Sequence, residues 1–287
     1  MSRGSSPAAI AMNYHDHPAL SASRLKQAVT GTALDYWARY VDPDRRPFTP
    51  SDAMRQGSLV DCLITQPEEV ERLYRVAPAV DRRTKAGKEA WADALADAGD
   101  AELISDDWMV NATRIRDRLL SDPVTAVYLA GQGQEPGFWH DCELEVDCRY
   151  MPDCEIPERG LLVDLKKARD ASPRGFQRQA YALAYDLQMA HYAEGYRDRY
   201  GEYPREIALV AYQWEWPHNV SVNLFTPEML EEGRRRREEA VMVIKECEAT
   251  GVWPSWGVTE FDVPRWAIAA DPANATDADD LGLEGLE

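Results

Sequence analysis

Two carboxylates and an amine stand close together in mid-chain: Asp153 in the pair Pro152-Asp153, then Asp164 and Lys166 in the run Gly160-Leu-Leu-Val-Asp-Leu-Lys166. Asp164 and Lys166 are two positions apart on an apolar stretch that reads as a strand, so their side chains share a face. A buried strand has no structural use for two charges on one face. The chemistry that suits this set is metal-assisted phosphodiester hydrolysis. Paired carboxylates hold a hard divalent cation such as Mg2+ through oxygen. The cation polarises a phosphoryl oxygen and makes a bound water nucleophilic near neutral pH, while an adjacent lysine orients that water and offsets charge building on phosphorus. Only one of the six lysines, Lys166, follows an acid at this spacing.

The flanking pattern supplies the elements that must carry these groups. Ser21 starts a first helix, Thr32 to Tyr40 forms a second that stops at Asp42-Pro43, and Ser51 to Thr65 forms a third. The basic run Asp81-Arg-Arg-Thr-Lys-Ala-Gly-Lys88 leads into a helix from Glu89 to Ala98, and Ser105 to Leu129 reads as one long helix. Gly131 to Pro136 breaks the pattern and begins the sheet. Glu143 to Tyr150 alternates like a half-buried strand that Pro152-Asp153 closes, and Gly160 to Lys166 is the next strand. Phe176 to Tyr200 then reads as one helix with an apolar stripe of Phe176, Ala180, Leu183, Leu187 and Ala190. Strands over 206–213 and 219–225 follow, and Thr226-Pro227 opens a closing helix to Ala249. Trp253, Trp256 and Trp266 lie in a Pro-rich stretch expected to wrap the domain. This order predicts an α/β fold with a mixed central β-sheet flanked by helices, behind a helical N-terminal region.

The residues also resemble a known signature. Pro152-Asp153 with Asp164-Leu-Lys166 resembles the PD-(D/E)xK nuclease superfamily. The surrounding text resembles more narrowly the exonuclease domain of exodeoxyribonuclease VIII (RecE) and related phage recombination exonucleases. The pieces that carry this likeness are Leu20 to Lys26, Gly57 to Leu63, Arg83 to Lys88, Glu135, Cys148-Arg149 with Pro152-Asp153, Val163 to Lys166, and Gln188 to Tyr192. The resemblance implies a restriction-endonuclease-like core, with Glu135, Asp153, Asp164 and the backbone carbonyl of Leu165 as metal ligands and Lys166 placing the attacking water. It further implies that Gln188 and Tyr192, four apart on one helix face, border the cleft. Asp61 stands where the family pattern has a histidine, and is expected either to bind metal or to be a solvated helix residue. Mg2+ is the implied cofactor, with Mn2+ as a substitute.

DNA contacts are expected from Arg82, Arg83, Lys85 and Lys88, next to a helix start, and from Arg174 and Arg178. The activity implied is 5′-to-3′ digestion of double-stranded DNA ends in phage-type recombination, by a ring-shaped homo-oligomer working with a RecT-like annealing protein. An endonuclease, a single-strand nuclease, or a non-catalytic DNA-binding or partner-recruiting module are the alternatives.

The net charge of −18 over 287 residues opposes a DNA binder, which ordinarily carries a basic footprint. An acidic end and the metal-binding carboxylates account for part of the excess. No apolar run approaches a membrane span and the start has no signal-peptide layout, so a cytoplasmic address is expected. The five cysteines contain no Cys-x-x-Cys pair, which predicts reduced thiols and no iron–sulfur cluster. The expected division is a flexible leader over 1–17, one nuclease domain over 18–268 and a disordered acidic tail over 269–287. Within the domain, 18–130 is mainly helical and 131–250 is the catalytic α/β core.

Overall fold

The computed structural model describes Tyr14 and residues 17–131 and 133–258. The leader apart from Tyr14 and His17, the acidic tail and Trp266 lie outside the described residues. The chain divides into two compact units, Met1–Trp253 and Pro254–Glu287. Of the second, residues 254–258 are described, and they are exposed and without helix or strand.

Side-chain caps set the first three described helices. Ser21 caps α1 (Ala22–Thr30), Thr32 and Asp35 form a reciprocal capping box on α2 (Ala33–Tyr40), and Ser51 caps α3 (Asp52–Thr65). A short helix α4 (Val70–Leu73) leads into β1 (Tyr74–Val76). Next comes α5 (Lys85–Ala98), which starts earlier than the expected Glu89 because the Thr84 hydroxyl accepts from the Gly87 backbone N–H. β2 (Glu102–Ile104) pairs in parallel with β1. The helix expected over 105–129 is two: α6 (Asp106–Ser121) and α7 (Thr125–Tyr128). Asp122-Pro123 divides them, since proline cannot continue the helical ladder and the Asp122 carboxylate accepts from the N–H groups of Val124 and Thr125.

β3 (Gly137–Asp141) and β4 (Val146–Tyr150) form an antiparallel hairpin of their own. The strand expected from Glu143 begins only at Val146, because Asp141 accepts from the N–H groups of Glu143 and Leu144 and bends the chain into a turn. The main sheet has four strands in the order β5 (Cys154–Ile156), β6 (Leu161–Ala168), β7 (Glu206–Gln213) and β8 (Val220–Leu224). β6 and β7 are parallel while the outer pairs are antiparallel, so the sheet is mixed. A parallel pair needs a crossover, supplied by α8 (Pro173–Ala182) and α9 (Tyr185–Tyr200). These replace the single expected helix: Ala184 takes the left-handed conformation at φ 52° and redirects the chain. α10 (Pro227–Thr250), capped by Thr226, closes the unit against α9 and α1.

Two cores follow from the period of two. Leu162 and Ala168 of β6, with Ile207, Leu209 and Ala211 of β7, pack beneath α1, α8, α9 and α10. Leu161, Val163 and Leu165, with Ala208, Val210 and Tyr212, pack on the other face against α3 and α6. Asp164 and Lys166 share parity with Leu162 and therefore belong to the α9 face. Close approach of α9 to the hairpin depends on Gly195, where a Cβ would come within 2.4 Å of the Tyr150 ring. At the far end of the unit, Trp253 stacks on Tyr36 at 5.7 Å. Trp256 is exposed.

Candidate active site

The site forms where β5 stops pairing with β6. The last matched pair toward the site is Cys154 with Val163, so the edge of β6 beyond Val163 has no strand partner on that side, and Asp153 fills the place. Its Oδ2 accepts from the Leu165 backbone N–H at 2.7 Å. In a strand the N–H and C=O of one residue lie on the same edge, which puts the Leu165 carbonyl on the edge that Asp153 occupies.

Asp164 is 2 % exposed, and its Oδ2 forms an ion pair with the Lys166 ammonium on the same face. The Gln188 side-chain amide donates to both Asp164 oxygens at 3.2 Å. Its carbonyl oxygen in turn accepts from Lys26 Nζ at 2.8 Å. Both ammonium groups lie near the Tyr185 ring, at 5.0 and 5.1 Å from its centre. α9 is buried around nearly its whole circumference between Tyr185 and Tyr196, so Gln188 and Tyr192 are interior groups rather than parts of an exposed helix edge. From the opposite core, α3 brings Asp61, one of whose carboxylate oxygens is sealed from solvent with no hydrogen-bond partner. The Tyr212 hydroxyl on β7 is buried in the same condition.

The electrostatics follow from this crowding. Burial, then the neighbouring Asp164, push the Asp153 carboxyl up to about 7, against the pull of Lys166. Burial and Asp153 likewise hold Asp61 well above the usual carboxylate range. For Lys166, burial favours the neutral amine, but Asp164 and Asp153 outweigh it and raise its pKa above the ordinary lysine value. Lys26 goes the other way: burial and the Lys166 charge lower it to about 7. Tyr192 is pushed well above the ordinary phenol value by burial and by Asp164, which keeps its hydroxyl neutral.

A divalent cation fits this donor set. Three carboxylates, from Asp61, Asp153 and Asp164, influence one another's charge in a buried pocket, and one of their oxygens has no partner. Such like charges are stable together when a cation lies among them. Among the described residues no three Asp, Glu, His or Cys side chains are already arranged in metal-binding geometry; the Lys166 ammonium is the positive charge that holds Asp164.

One expected ligand is not brought to this set. Glu135 is exposed in the irregular segment before β3. That segment follows the Pro152-Asp153 backbone, with Gln134 N–H donating to the Pro152 carbonyl at 3.1 Å. The Glu135 carbonyl accepts from Arg199 at 3.2 Å, while its side chain faces solvent. The further carboxylate that lies near Asp153 and Asp164 is that of Asp61.

Beside the acids lies a groove of about 780 Å3 lined by Lys26, Gln56, Asp61, Lys166, Lys167 and Trp214, among others. The basic run at α5 is elsewhere and partly neutralised. Arg83 pairs with Asp81 at 2.9 Å and Lys85 with Glu89 at 3.8 Å, the Arg82 guanidinium covers the Trp91 ring at 4.5 Å, and Lys88 is exposed. Arg174 and Arg178 are exposed on α8, along a separate depression of about 520 Å3. The site role of Lys26 was not evident from sequence. Its only signal was its position at the end of the Leu20 to Lys26 piece, because its partner Gln188 lies far along the chain. All five cysteines are free thiols, with Cys142 the exposed one. Among the described residues no helix is long and apolar enough to cross a membrane.

Comparison with known proteins bears on the family and the fold. The family model described as "PDDEXK-like domain of unknown function (DUF3799)" matches residues 21–260. No curated protein gives a significant match. Among solved structures, a protein from Eubacterium rectale provisionally described as an exonuclease superposes with a TM-score of 0.62 at 17 % identity, covering 94 % of this chain and 99 % of that one. A phage-related exonuclease from Haemophilus somnus 129PT matches at 12 % identity over 84 % of this chain and 99 % of its own, with a TM-score of 0.37. The first superposition shows a shared fold, and with a family model spanning most of its length, the chain belongs to the PDDEXK-like domain family, within the PD-(D/E)xK nuclease superfamily.

Proposed function

We propose that the protein is a Mg2+-dependent deoxyribonuclease that hydrolyses phosphodiester bonds, acting as a 5′-to-3′ exonuclease on double-stranded DNA ends to leave a 3′ single strand for recombination. The observation that carries this reading is the meeting of Asp153, Asp164 and Lys166 at the open edge of β6. Asp153, Asp164, Asp61 and the Leu165 carbonyl would hold the cation, which when bound supplies Lewis-acid polarisation of the scissile phosphate and an activated water.

The chain's own residues set the rest. With its pKa raised, Lys166 stays an ammonium at neutral pH; it therefore donates to the attacking water or to the phosphoryl oxygens and does not serve as a base. Gln188 bridges Asp164 to Lys26 and so fixes both. Lys26, held near 7, exchanges a proton readily at neutral pH. The neutral Tyr192 hydroxyl remains a hydrogen-bond donor facing the same acids. A ring-shaped homo-oligomer and a RecT-like annealing partner belong to the same reading, supported by the sequence resemblance, and so does a cytoplasmic address, supported by the lack of a signal-peptide layout in the sequence.

End-labelled linear duplex incubated with Mg2+ tests the activity, and a covalently closed circle of the same sequence tests whether it needs a free end. An exonuclease degrades the linear form and spares the circle; cleavage of both at equal rates identifies an endonuclease.

A further inference from the structure

A second groove is larger than the one beside the acids. It encloses about 1110 Å3 and is lined by Arg24, Arg39, Arg45, Arg46 and Arg149, together with Asp35, Asp42 and Asp44. In a chain with 50 acidic and 32 basic residues, this concentration of guanidinium groups stands out. Several arginines elsewhere are tied up by carboxylates, as in Arg55 with Glu102, Arg199 with Glu155 and Arg236 with Asp186. Here, among the described residues, no carboxylate lies within ion-pair distance of Arg24, Arg39, Arg45 or Arg46.

The acids in the groove are partly engaged already. Asp35 accepts from the Thr32 hydroxyl at 2.7 Å and its N–H at 2.8 Å, and Asp42 accepts from the Asp44 N–H at 2.9 Å. The Arg24 Nε is buried with no hydrogen-bond partner. The guanidiniums of Arg24 and Arg39 lie over the Tyr40 ring, at 5.0 and 5.5 Å from its centre, which fixes both at one wall. Phe48, 54 % exposed, carries Arg39 over its ring at 4.1 Å.

Charge and shape together select an occupant. Planar guanidiniums match phosphate in a two-pronged manner, and an exposed aromatic ring beside them is a stacking platform for an unpaired base. Bases inside a duplex have no exposed face to offer such a ring. Two elements carry residues of both the groove and the active site or its approach. α1 carries both Arg24 and Lys26, which sit about 200° apart around the helix axis, so the groove and the acid cluster lie on opposite sides of a single helix. Arg149, at the end of β4, leads through Tyr150, Met151 and Pro152 directly to Asp153.

We propose that this groove is the track for a single DNA strand running to or from the active site. The inference rests on the nuclease reading above and adds to it the path of one strand. Its test measures binding without cutting, by fluorescence anisotropy of the full chain with a labelled oligothymidylate in chelator. Replacing Arg45 and Arg46 together with alanine, both on an exposed loop, weakens binding at least ten-fold. It also flattens the dependence of log affinity on log salt by about 1.4, from about 0.7 per lost phosphate contact. Phe48→Ala weakens binding about five-fold or more while leaving that slope unchanged, as expected for lost stacking. Unchanged affinity and slope in the double variant would overturn the proposal, as would a loss confined to duplex DNA. Neither result touches the nuclease reading, which stands or falls on hydrolysis by the wild type against Lys166→Ala.

Discussion

Lys166 and Lys26 are two amines within reach of one carboxylate set, and their surroundings drive them apart. Lys166 is tied to Asp164 and stays charged, whereas Lys26, deprived of water and facing Lys166, is lowered to about 7. The Gln188 amide spans Asp164 and Lys26, so Gln188→Ala should release both groups without removing either. Kinetics of duplex digestion are expected to show a kcat about 10- to 100-fold lower, the range seen when an orienting neighbour of a metal ligand is removed. A kcat within two-fold of wild type would show that the bridge has no catalytic use. The shared face of Asp164 and Lys166 was legible in the sequence, because a period of two leaves no other choice. Asp61 and Lys26 were less so, since each reaches the site from a distant helix and only the packing of α1, α3 and α9 brings them to β6. Glu135 was placed by resemblance, and the backbone that follows Pro152 turns its side chain outward.

At the scale of elements, proline and side-chain caps were informative while left-handed residues were not. Ser21, Thr32, Ser51 and Thr226 each start a helix as expected. The break at Ala184 carries no Gly or Pro, so the stripe Phe176, Ala180, Leu183, Leu187, Ala190 read as one face, yet Leu183 is 46 % exposed. α9 is buried on nearly every side, its polar residues Asp186, Gln188 and His191 included, which is why Gln188 lies in the interior. Glu145, in the β3–β4 turn, is another left-handed residue at φ 52°. Its ion pair with Lys245, at 3.8 Å, is exposed and contributes little. Glu145→Gly should therefore stabilise the fold by about 1 kcal/mol through relief of backbone strain, read as a higher urea midpoint; a lower midpoint would contradict this.

α9 also contains a buried histidine with an assigned proton. His191 Nδ1 accepts from Arg237 at 3.2 Å, so Nε2 carries the proton and donates to the Arg149 carbonyl at 3.0 Å. Burial and the Arg237 charge lower its pKa to about 3. A lowered histidine gives stability that is complete above about 6.5 and is lost as pH falls toward 3, because the unfolded chain takes up the proton first. The unfolding midpoint of His191→Gln should accordingly change less between pH 7 and pH 5 than that of the wild type. Parallel pH profiles would show that His191 contributes nothing to acid sensitivity.

For the whole molecule, the question is how a chain of net charge −18 holds a polyanion. The run at Arg82, Arg83, Lys85 and Lys88 looked basic in sequence, but Asp81 and Glu89 neutralise part of it in space. The arginines of the α1–α2 groove are scattered between positions 24 and 149, so sequence alone gave no hint that they meet. Local groups of this kind bind through phosphate contacts, and digestion of duplex should slow steeply between 50 and 200 mM salt. A rate indifferent to salt would mean that affinity comes from something other than phosphate contacts.

The most direct test of the central claim is the release of labelled nucleotide from linear duplex DNA with Mg2+, comparing wild type, wild type with chelator, and a folded Lys166→Ala variant. The account predicts release by the wild type alone. Undiminished release by Lys166→Ala, or by the wild type in chelator, would contradict it.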